Sequence, residues 1–329
     1  MSPRSASSNG TPRIAVVGAP TVDGVHVRAA LAQHGVPGAR VDLFGTTEGE
    51  VVLSDYAGEA RMVQELDLEE LASHELIFVC EPGDIASRLA DVAHAAVILD
   101  LHGCVRFQVS PLGLASHEIA PDAKRFAVPH PVALVLAEVL HPLHRKFGLA
   151  EATAVVIRPA ADFGQQGVDE LRDQTLCLLN FSKVPVTTFG RQLAFNIIPD
   201  ALLAAGQRGL ESRINREVAD LLAWSDSRVA VKLLAGPIFY GHGLQLRFRL
   251  ARDASIGEIR SVLADDGLLR AQTEDSPTTP LDVTGEMRMG LSGLAEDGTG
   301  AHWLWVVVGE IAARGARRAV RLAATVLGF

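Results

Sequence analysis

Arg13-Ile14-Ala15-Val16-Val17-Gly18 is a short β-branched run that ends in glycine, and it predicts a buried strand that turns directly into a helix. A helical segment follows at residues 25–34, and residues 41–44 predict the next strand. Two more continuous apolar runs, at residues 76–80 and 96–100, have the length of strands that are buried on both faces. Strands that alternate with helices at this spacing indicate an α/β domain with a Rossmann-type, doubly wound parallel sheet.

The pattern changes in the second half of the chain. Residues 132–147 form one long apolar stretch that predicts a helix, and residues 165–180 predict another. Residues 152–159 predict a strand, and residues 228–238 and 244–250 predict two strands that pair with each other. This mixture predicts a second, α+β domain with a large mixed or antiparallel sheet.

The length of 329 residues favours two domains. Residues 1–12 are rich in Ser, Asn, Gly and Pro, which predicts a disordered tail rather than a signal peptide. The first domain is predicted to comprise residues 13–131 plus 309–329, because the last segment is an amphipathic helix that can return to it. The second domain then spans residues 132–308. Part of it, residues 273–300, is rich in Asp, Thr, Gly and Pro and is interpreted as irregular loops.

The composition excludes several classes of protein. A hydrophobic content of 48% with 30 glycines is typical of a compact α/β protein. A net charge of −9 offers no basic stripe to neutralise phosphates, which argues against nucleic-acid binding. The longest strongly apolar run, residues 303–308, is far shorter than the roughly 20 residues that cross a membrane. The three cysteines lack metal-ligand spacing and the even count of a disulfide framework, so a reducing cytoplasm is predicted.

Four segments, at residues 163–171, 194–199, 236–242 and 303–316, carry a resemblance to a known family. In this order and at these separations they resemble the aspartate-semialdehyde dehydrogenase family. The chain is most similar to its degenerate, Usg-type members, which keep the fold and lose active-site residues. The resemblance implies a homodimer that is joined through the second-domain sheet, and it implies NAD or NADP as the cofactor.

Position 131 departs from the family's pattern. The family places a nucleophilic cysteine in the turn Asn-Pro-Asn-Cys-Ser/Thr, and Pro131 falls on that cysteine's position. Proline has no thiolate and cannot form the thioester on which the family's chemistry depends. Cys104 is an alternative nucleophile, although the sequence shows no base held beside it.

The family's phosphate-binding turn, Gly-x-Thr-Gly-x-Val-Gly, is matched by residues 18–24. Backbone N–H groups at a helix N-terminus bind a pyrophosphate in such turns. The candidate cofactor-binding residues of this turn are Gly18, Thr21 and Gly24. Because Pro20 removes one N–H group and Asp23 adds a negative charge, the alternative is a tight turn that binds no ligand.

Glu48 is the fourth candidate cofactor residue. It falls near the end of the second strand, where NADP-dependent family members carry an arginine for the 2′-phosphate. A carboxylate repels a phosphate and favours ribose hydroxyls, so the sequence predicts NAD over NADP if a dinucleotide binds. The alternative is that Glu48 is a solvated loop residue.

The resemblance also implies a substrate pocket. Arg106 matches a family arginine that pairs with anionic substrate groups, and Arg158 falls on the position of an active-site glutamine. His242 falls on the position of the general acid/base, and His130 precedes position 131. These side chains predict a cationic pocket for a small anion, while a purely structural His242 is the alternative. No metal site is predicted, because no carboxylate or cysteine accompanies the histidines at diagnostic spacing.

Three functions follow from these patterns. The first is a catalytically inactive family member that serves as a scaffold, as a protein partner or as a binder of a small anion. The second is an NAD(P)-dependent oxidoreductase with weak or altered semialdehyde dehydrogenase activity. The third is a nucleotide-binding protein without turnover.

Overall fold

The computed structural model describes residues 11–45, 52–104, 107–109, 119–120, 122–204, 209–224, 228–265, 278–285 and 289–329. The chain divides into two compact units, Met1–Pro131 with Ala312–Phe329, and Val132–Ile311. Most of the predicted tail, residues 1–10, lies outside the described part, as do Glu48 and Arg106. No helix in the described ranges is both long and apolar enough to span a bilayer.

The first unit contains a sheet in which eight strands are described. In chain order these are β1 (Ile14–Val17), β2 (Val41–Gly45), β3 (Val52–Tyr56), β4 (Glu59–Glu65), β5 (Leu76–Val79), β6 (Val97–Asp100), β7 (Gln108–Val109) and β8 (Arg125–Ala127). Their spatial order is β3-β4-β2-β1-β5-β6-β8-β7. Every pair is parallel except the antiparallel pair β3–β4.

Two apolar layers cover the faces of this sheet, which explains the unbroken apolar runs of its central strands. Ile14 and Val16 of β1 pack into one layer. Ala15 and Val17 point to the opposite side and pack into the other. The helices of this unit before residue 131 are α1 (Val22–Gln33), α2 (Leu68–Leu71) and α3 (Ile85–Val92).

The second unit contains a mixed sheet in which six strands are described. These are β9 (Leu149–Arg158), β10 (Ile198–Pro199), β11 (Val229–Ala235), β12 (His242–Leu250), β13 (Met289–Glu296) and β14 (Ala301–Val308), in the spatial order β10-β11-β9-β12-β14-β13. Its helices are α4 (Pro131–Phe147), α5 (Gly164–Leu179), α6 (Leu210–Leu221) and α7 (Ile256–Asp265). The last helix, α8 (Ile311–Leu327), packs its residues Ala316, Ala319 and Val320 into a core layer of the first unit. The predicted fold class, a Rossmann-type parallel sheet with an α+β domain, is confirmed.

Two expectations about the second sheet are wrong. β11 and β12 do not pair with each other, because β9 lies between them and bonds to both. Two flanking strands satisfy the backbone groups on both edges of this ten-residue strand. Residues 273–300 are also not all loops, since β13 pairs with β14 through a bulge between Ser292 and Ala295. Gly290 makes this segment look less like a strand in the sequence. A glycine is needed there because a Cβ would lie 2.9 Å from Thr278 Cγ2.

Candidate functional site

Four charged or titratable side chains of the second unit meet at the ends of its strands. Arg158 is the last residue of β9, and His242 is the first residue of β12. Asp162 lies in the short 3-10 helix Ala160–Phe163 that follows β9. Asp200 begins another 3-10 helix directly after β10. The fold therefore brings side chains from three separate segments of the chain into one cluster.

The Arg158 guanidinium is committed to partners inside the protein. Its Nε donates to Asp162 Oδ2 at 2.8 Å, and its Nη1 donates to Asp200. Its Cζ lies 4.6 Å from the centroid of the Phe163 ring, a cation–π arrangement. The residue is only 4% exposed. The Arg158 side chain, which the sequence places in a substrate pocket, is thus already bound by two carboxylates and an aromatic ring.

His242 is held by the same carboxylate. Its Nε2 lies 2.9 Å from Asp162 Oδ2, and the residue is 2% exposed. Because an ionised carboxylate can only accept, this bond requires the N–H on Nε2. The buried Nδ1 of the same ring has no hydrogen-bond partner among the described residues.

The glycines on either side of His242 let the backbone pass between close neighbours. Gly241 has a φ of +77°, and a Cβ there would lie 2.6 Å from the Pro280 carbonyl oxygen. A Cβ on Gly243 would lie 2.5 Å from the Trp305 ring. The Gly-His-Gly sequence is therefore required by packing around the histidine.

Asp162 is the electrostatic centre of the cluster. Burial acts to raise its pKa, but the adjacent His242 and Arg158, through charge and hydrogen bonds, hold the pKa well below its ordinary value. Asp162 is consequently ionised at neutral pH, and it joins the arginine to the histidine.

Stability in acid is expected to depend on Asp162. A depressed folded-state pKa means that the unfolded chain binds the proton more readily, so stability rises with pH. The contribution is complete above the ordinary carboxyl pKa of about 4 and is lost as the pH falls below it. In urea unfolding between pH 2.5 and 7, we expect the Asp162→Asn variant to lose less stability in acid than the wild type.

The matched control is Asp169→Asn, which removes an exposed carboxylate of α5. It is expected to keep the wild-type dependence on pH. Parallel pH profiles for the wild type and Asp162→Asn would contradict the assignment of this ion cluster.

In the first unit, Pro131 begins α4, a position that suits proline because the first helical N–H has no intrahelical partner. A Cβ on Gly315 would lie 3.3 Å from Pro131 Cγ, which places the ring against α8. The half-buried His130 immediately precedes this helix. The backbone N–H of Cys104 donates to the Asp100 carboxylate. Within the described ranges, no group of three or more His, Cys, Asp or Glu side chains could hold a metal ion.

The predicted cofactor turn joins β1 to α1. Gly18 has a φ of +76°, which glycine adopts readily. Thr21 caps α1, and its hydroxyl lies 2.8 Å from the carbonyl oxygens of both Gly18 and Cys80. A Cβ on Gly24 would lie 2.2 Å from the Gly18 carbonyl oxygen. Each of the three candidate residues thus has a role in forming the turn itself.

Sequence reasoning named Arg158 and His242, which the structure brings together, but it missed the two aspartates that bind them. The spacing of four residues between Arg158 and Asp162 was the available signal. Asp200 is 42 residues away from Arg158 in the chain, and no local pattern connects the two.

Comparison with known proteins identifies the family. Residues 140–310 match the family model of the semialdehyde dehydrogenase dimerisation domain. The chain is 28% identical to a USG-1 protein homolog of Pseudomonas aeruginosa, over 83% of this chain and 84% of that protein.

Solved structures share the fold. The crystal structure of aspartate semialdehyde dehydrogenase II from Vibrio cholerae is similar with a TM-score of 0.82 at 20% identity, covering 97% of this chain and 99% of that one. The Candida albicans aspartate semialdehyde dehydrogenase, crystallised with NADP, has a TM-score of 0.66 at 15% identity, covering 97% and 99%. Because the matched residues 140–310 make up more than half of the 329-residue chain, the chain belongs to the aspartate-semialdehyde dehydrogenase family.

Proposed function

We propose that this chain is a homodimeric family member without semialdehyde dehydrogenase turnover, whose role is to bind a partner or a small ligand. The observation that carries the proposal is the ion cluster of Arg158, Asp162, Asp200 and His242. At the positions where active relatives are expected to present side chains to the substrate, this chain directs them at one another.

The loss of the nucleophile supports the same conclusion. Covalent catalysis requires a side chain that attacks the aldehyde carbon and is later displaced from the acyl group. Proline has no nucleophilic side-chain atom and can do neither. At position 131, Pro131 instead starts α4 and packs beside Gly315. The test is turnover of aspartate semialdehyde by the wild type and by a Pro131→Cys variant, and both are expected to be inactive.

The cluster also limits the ligand that the second unit can hold. Two carboxyl groups, those of Asp162 and Asp200, contact the Arg158 guanidinium. A small anion therefore gains little from Arg158, because two carboxylates already surround that guanidinium. Arg106 is the remaining candidate cation for such an anion, and it lies outside the described residues.

One observation favours a second candidate function, an oxidoreductase with weak or altered activity. Asp162 fixes the His242 ring through Nε2, and Nδ1 has no hydrogen-bond partner among the described residues, so Nδ1 is the ring nitrogen left to exchange a proton with a bound substrate. Such a function would need a nucleophile other than residue 131. Turnover measurements distinguish it from the inactive protein.

The dimer is supported by exposed apolar side chains in the second unit. Seven lie between residues 176 and 202: Leu176, Leu179, Phe181, Val186, Phe195, Ile197 and Leu202. Phe181 is 99% exposed and Phe195 is 70% exposed, and both have positive φ angles that are uncommon for phenylalanine. All seven lie within the matched dimerisation domain, so a second copy of the chain is the proposed occupant of this surface.

Buried polar side chains fix the loop that carries Phe195. The Gln174 carbonyl accepts from the N–H groups of Leu193 and Ala194, at 2.6 and 3.0 Å, and the Glu170 carboxylate accepts from Phe189 N–H at 3.2 Å. A surface held in this way loses little conformational entropy when a partner binds.

We expect Phe195→Glu to weaken the dimer by at least about 100-fold, because an aromatic side chain that the proposed dimer would bury is replaced by a charge that lacks a partner. Analytical ultracentrifugation over a concentration series measures the change. The control is Leu53→Glu, which replaces an exposed apolar residue of β3 in the first unit and is expected to leave the dimer intact. A Phe195→Glu protein that dimerises as tightly as the control would contradict the proposed surface.

A further inference from the structure

We propose that the turn between β1 and α1 excludes dinucleotides, because most of its N–H groups are already donated within the protein and Asp23 supplies a negative charge at the helix N-terminus. The inference concerns the first unit and is independent of the proposed function, which rests on the second unit and position 131. NADP is present in the crystal structure of the Candida albicans relative. We therefore ask whether the residues of this turn could bind the pyrophosphate of such a dinucleotide.

Five N–H groups of residues 18–25 have acceptors within the protein. Gly18 and Ala19 donate to the Phe44 carbonyl at 2.9 and 3.0 Å, and Thr21 donates to the Gly18 carbonyl at 3.0 Å. Gly24 donates to Thr21 Oγ1 at 3.1 Å, and Val25 donates to the Thr21 carbonyl at 2.9 Å. Pro20 has no N–H to donate. A pyrophosphate is bound by several N–H groups that point outwards from such a turn, and most of this turn's donors are already used.

Charge opposes a phosphate at the same place. Asp23 lies in the first turn of α1, where its carboxylate interacts with the positive end of the helix dipole. The His102 Nε2 lies 3.5 Å from Asp23 Oδ2, and the backbone N–H of His102 donates to Asp100 Oδ1 at 3.0 Å. Two carboxylates, Asp23 and Asp100, therefore lie at this edge of the sheet. A pyrophosphate brought beside them would be repelled.

The glycines that survive from the family's motif are explained without a ligand. Gly24 is needed because a Cβ would collide with the Gly18 carbonyl, and Gly18 is needed for its positive φ. The Thr21 hydroxyl is placed between two carbonyl oxygens. The retained residues thus preserve the packing of α1 on β1, and the substitutions at Pro20 and Asp23 remove the binding function.

The test is isothermal titration calorimetry of the full-length protein with NAD and with NADP, with the Candida albicans enzyme titrated with NADP as the positive control. We expect no binding of either dinucleotide with a Kd below about 1 mM. Binding of NAD or NADP in the micromolar range would overturn the proposal. Neither result depends on whether the protein turns over aspartate semialdehyde, so the two proposals can fail separately.

A double variant, Pro20→Ala with Asp23→Ala, tests the cause. Pro20 is exposed and Asp23 is half-buried, so both positions accept alanine. The variant regains one N–H group and loses one negative charge, and we expect its affinity for NAD to increase at least about tenfold. A folded variant that binds NAD no better than the wild type would show that something other than this turn excludes the dinucleotide, which contradicts the proposal. If the variant does not fold, Pro20→Ala alone provides the same comparison.

Discussion

Replacing Arg158 by alanine is expected to lower the free energy of unfolding by about 3–5 kcal/mol, because removing one partner from a buried ion cluster leaves uncompensated charge. Both carboxylates that contact the guanidinium, Asp162 and Asp200, would remain in a largely buried position. The Phe163 ring would also lose its cation–π partner.

Urea unfolding at pH 7, followed by circular dichroism, measures this loss. The matched control is Arg172→Ala on α5, because Arg172 also contacts two carboxylates, Asp169 and Asp173, but lies at the surface. Exposed ion pairs contribute little, so this control is expected to unfold like the wild type. Equal stability of the two variants would mean that the Arg158 cluster does not hold the second unit together.

We propose that Pro131 replaces the family's nucleophile. On that proposal the wild-type protein is expected to turn over aspartate semialdehyde at least about 10⁴-fold more slowly than the Vibrio cholerae enzyme, because loss of a covalent nucleophile typically costs about 10⁴ to 10⁶ in rate. Asp162 and Asp200 add to this deficit, since they occupy Arg158. A residual rate above that bound would require another nucleophile.

Restoring the thiol alone is not expected to restore activity. Pro131→Cys supplies a nucleophile, but His242 remains bound to Asp162 and Arg158 remains bound to both aspartates. Mass spectrometry after thiol alkylation shows whether the new cysteine is accessible, and this measurement makes an inactive result interpretable. Activity gained through this one change would contradict our interpretation of the ion cluster.

The strands buried on both faces were the elements that the sequence predicted best. β1, β5 and β6 read as continuous apolar runs because two core layers enclose them, so burial and sequence pattern agree. The hairpin of β3 and β4 was missed. Its strands are largely exposed, and its turn places Ala57 and Gly58 at positive φ, which an alanine does not signal.

The candidate site could be predicted only in part, for a different reason. A family resemblance identifies single positions such as Arg158 and His242, but the ion cluster depends on which segments the fold brings together. Asp162 is positioned by the 3-10 helix after β9, and Asp200 is positioned by the 3-10 helix that follows the short edge strand β10. Their partnership with Arg158 is a property of the tertiary structure, and local patterns do not contain it.

The most direct test of the central claim is an absorbance assay of purified wild-type protein at high concentration, with aspartate semialdehyde, phosphate and either NAD or NADP. We predict no enzyme-dependent formation of reduced nicotinamide with either cofactor, while the Vibrio cholerae enzyme is active under the same conditions. Sustained turnover by the wild-type protein would contradict the claim, whether or not thiol-blocking reagents inhibit it.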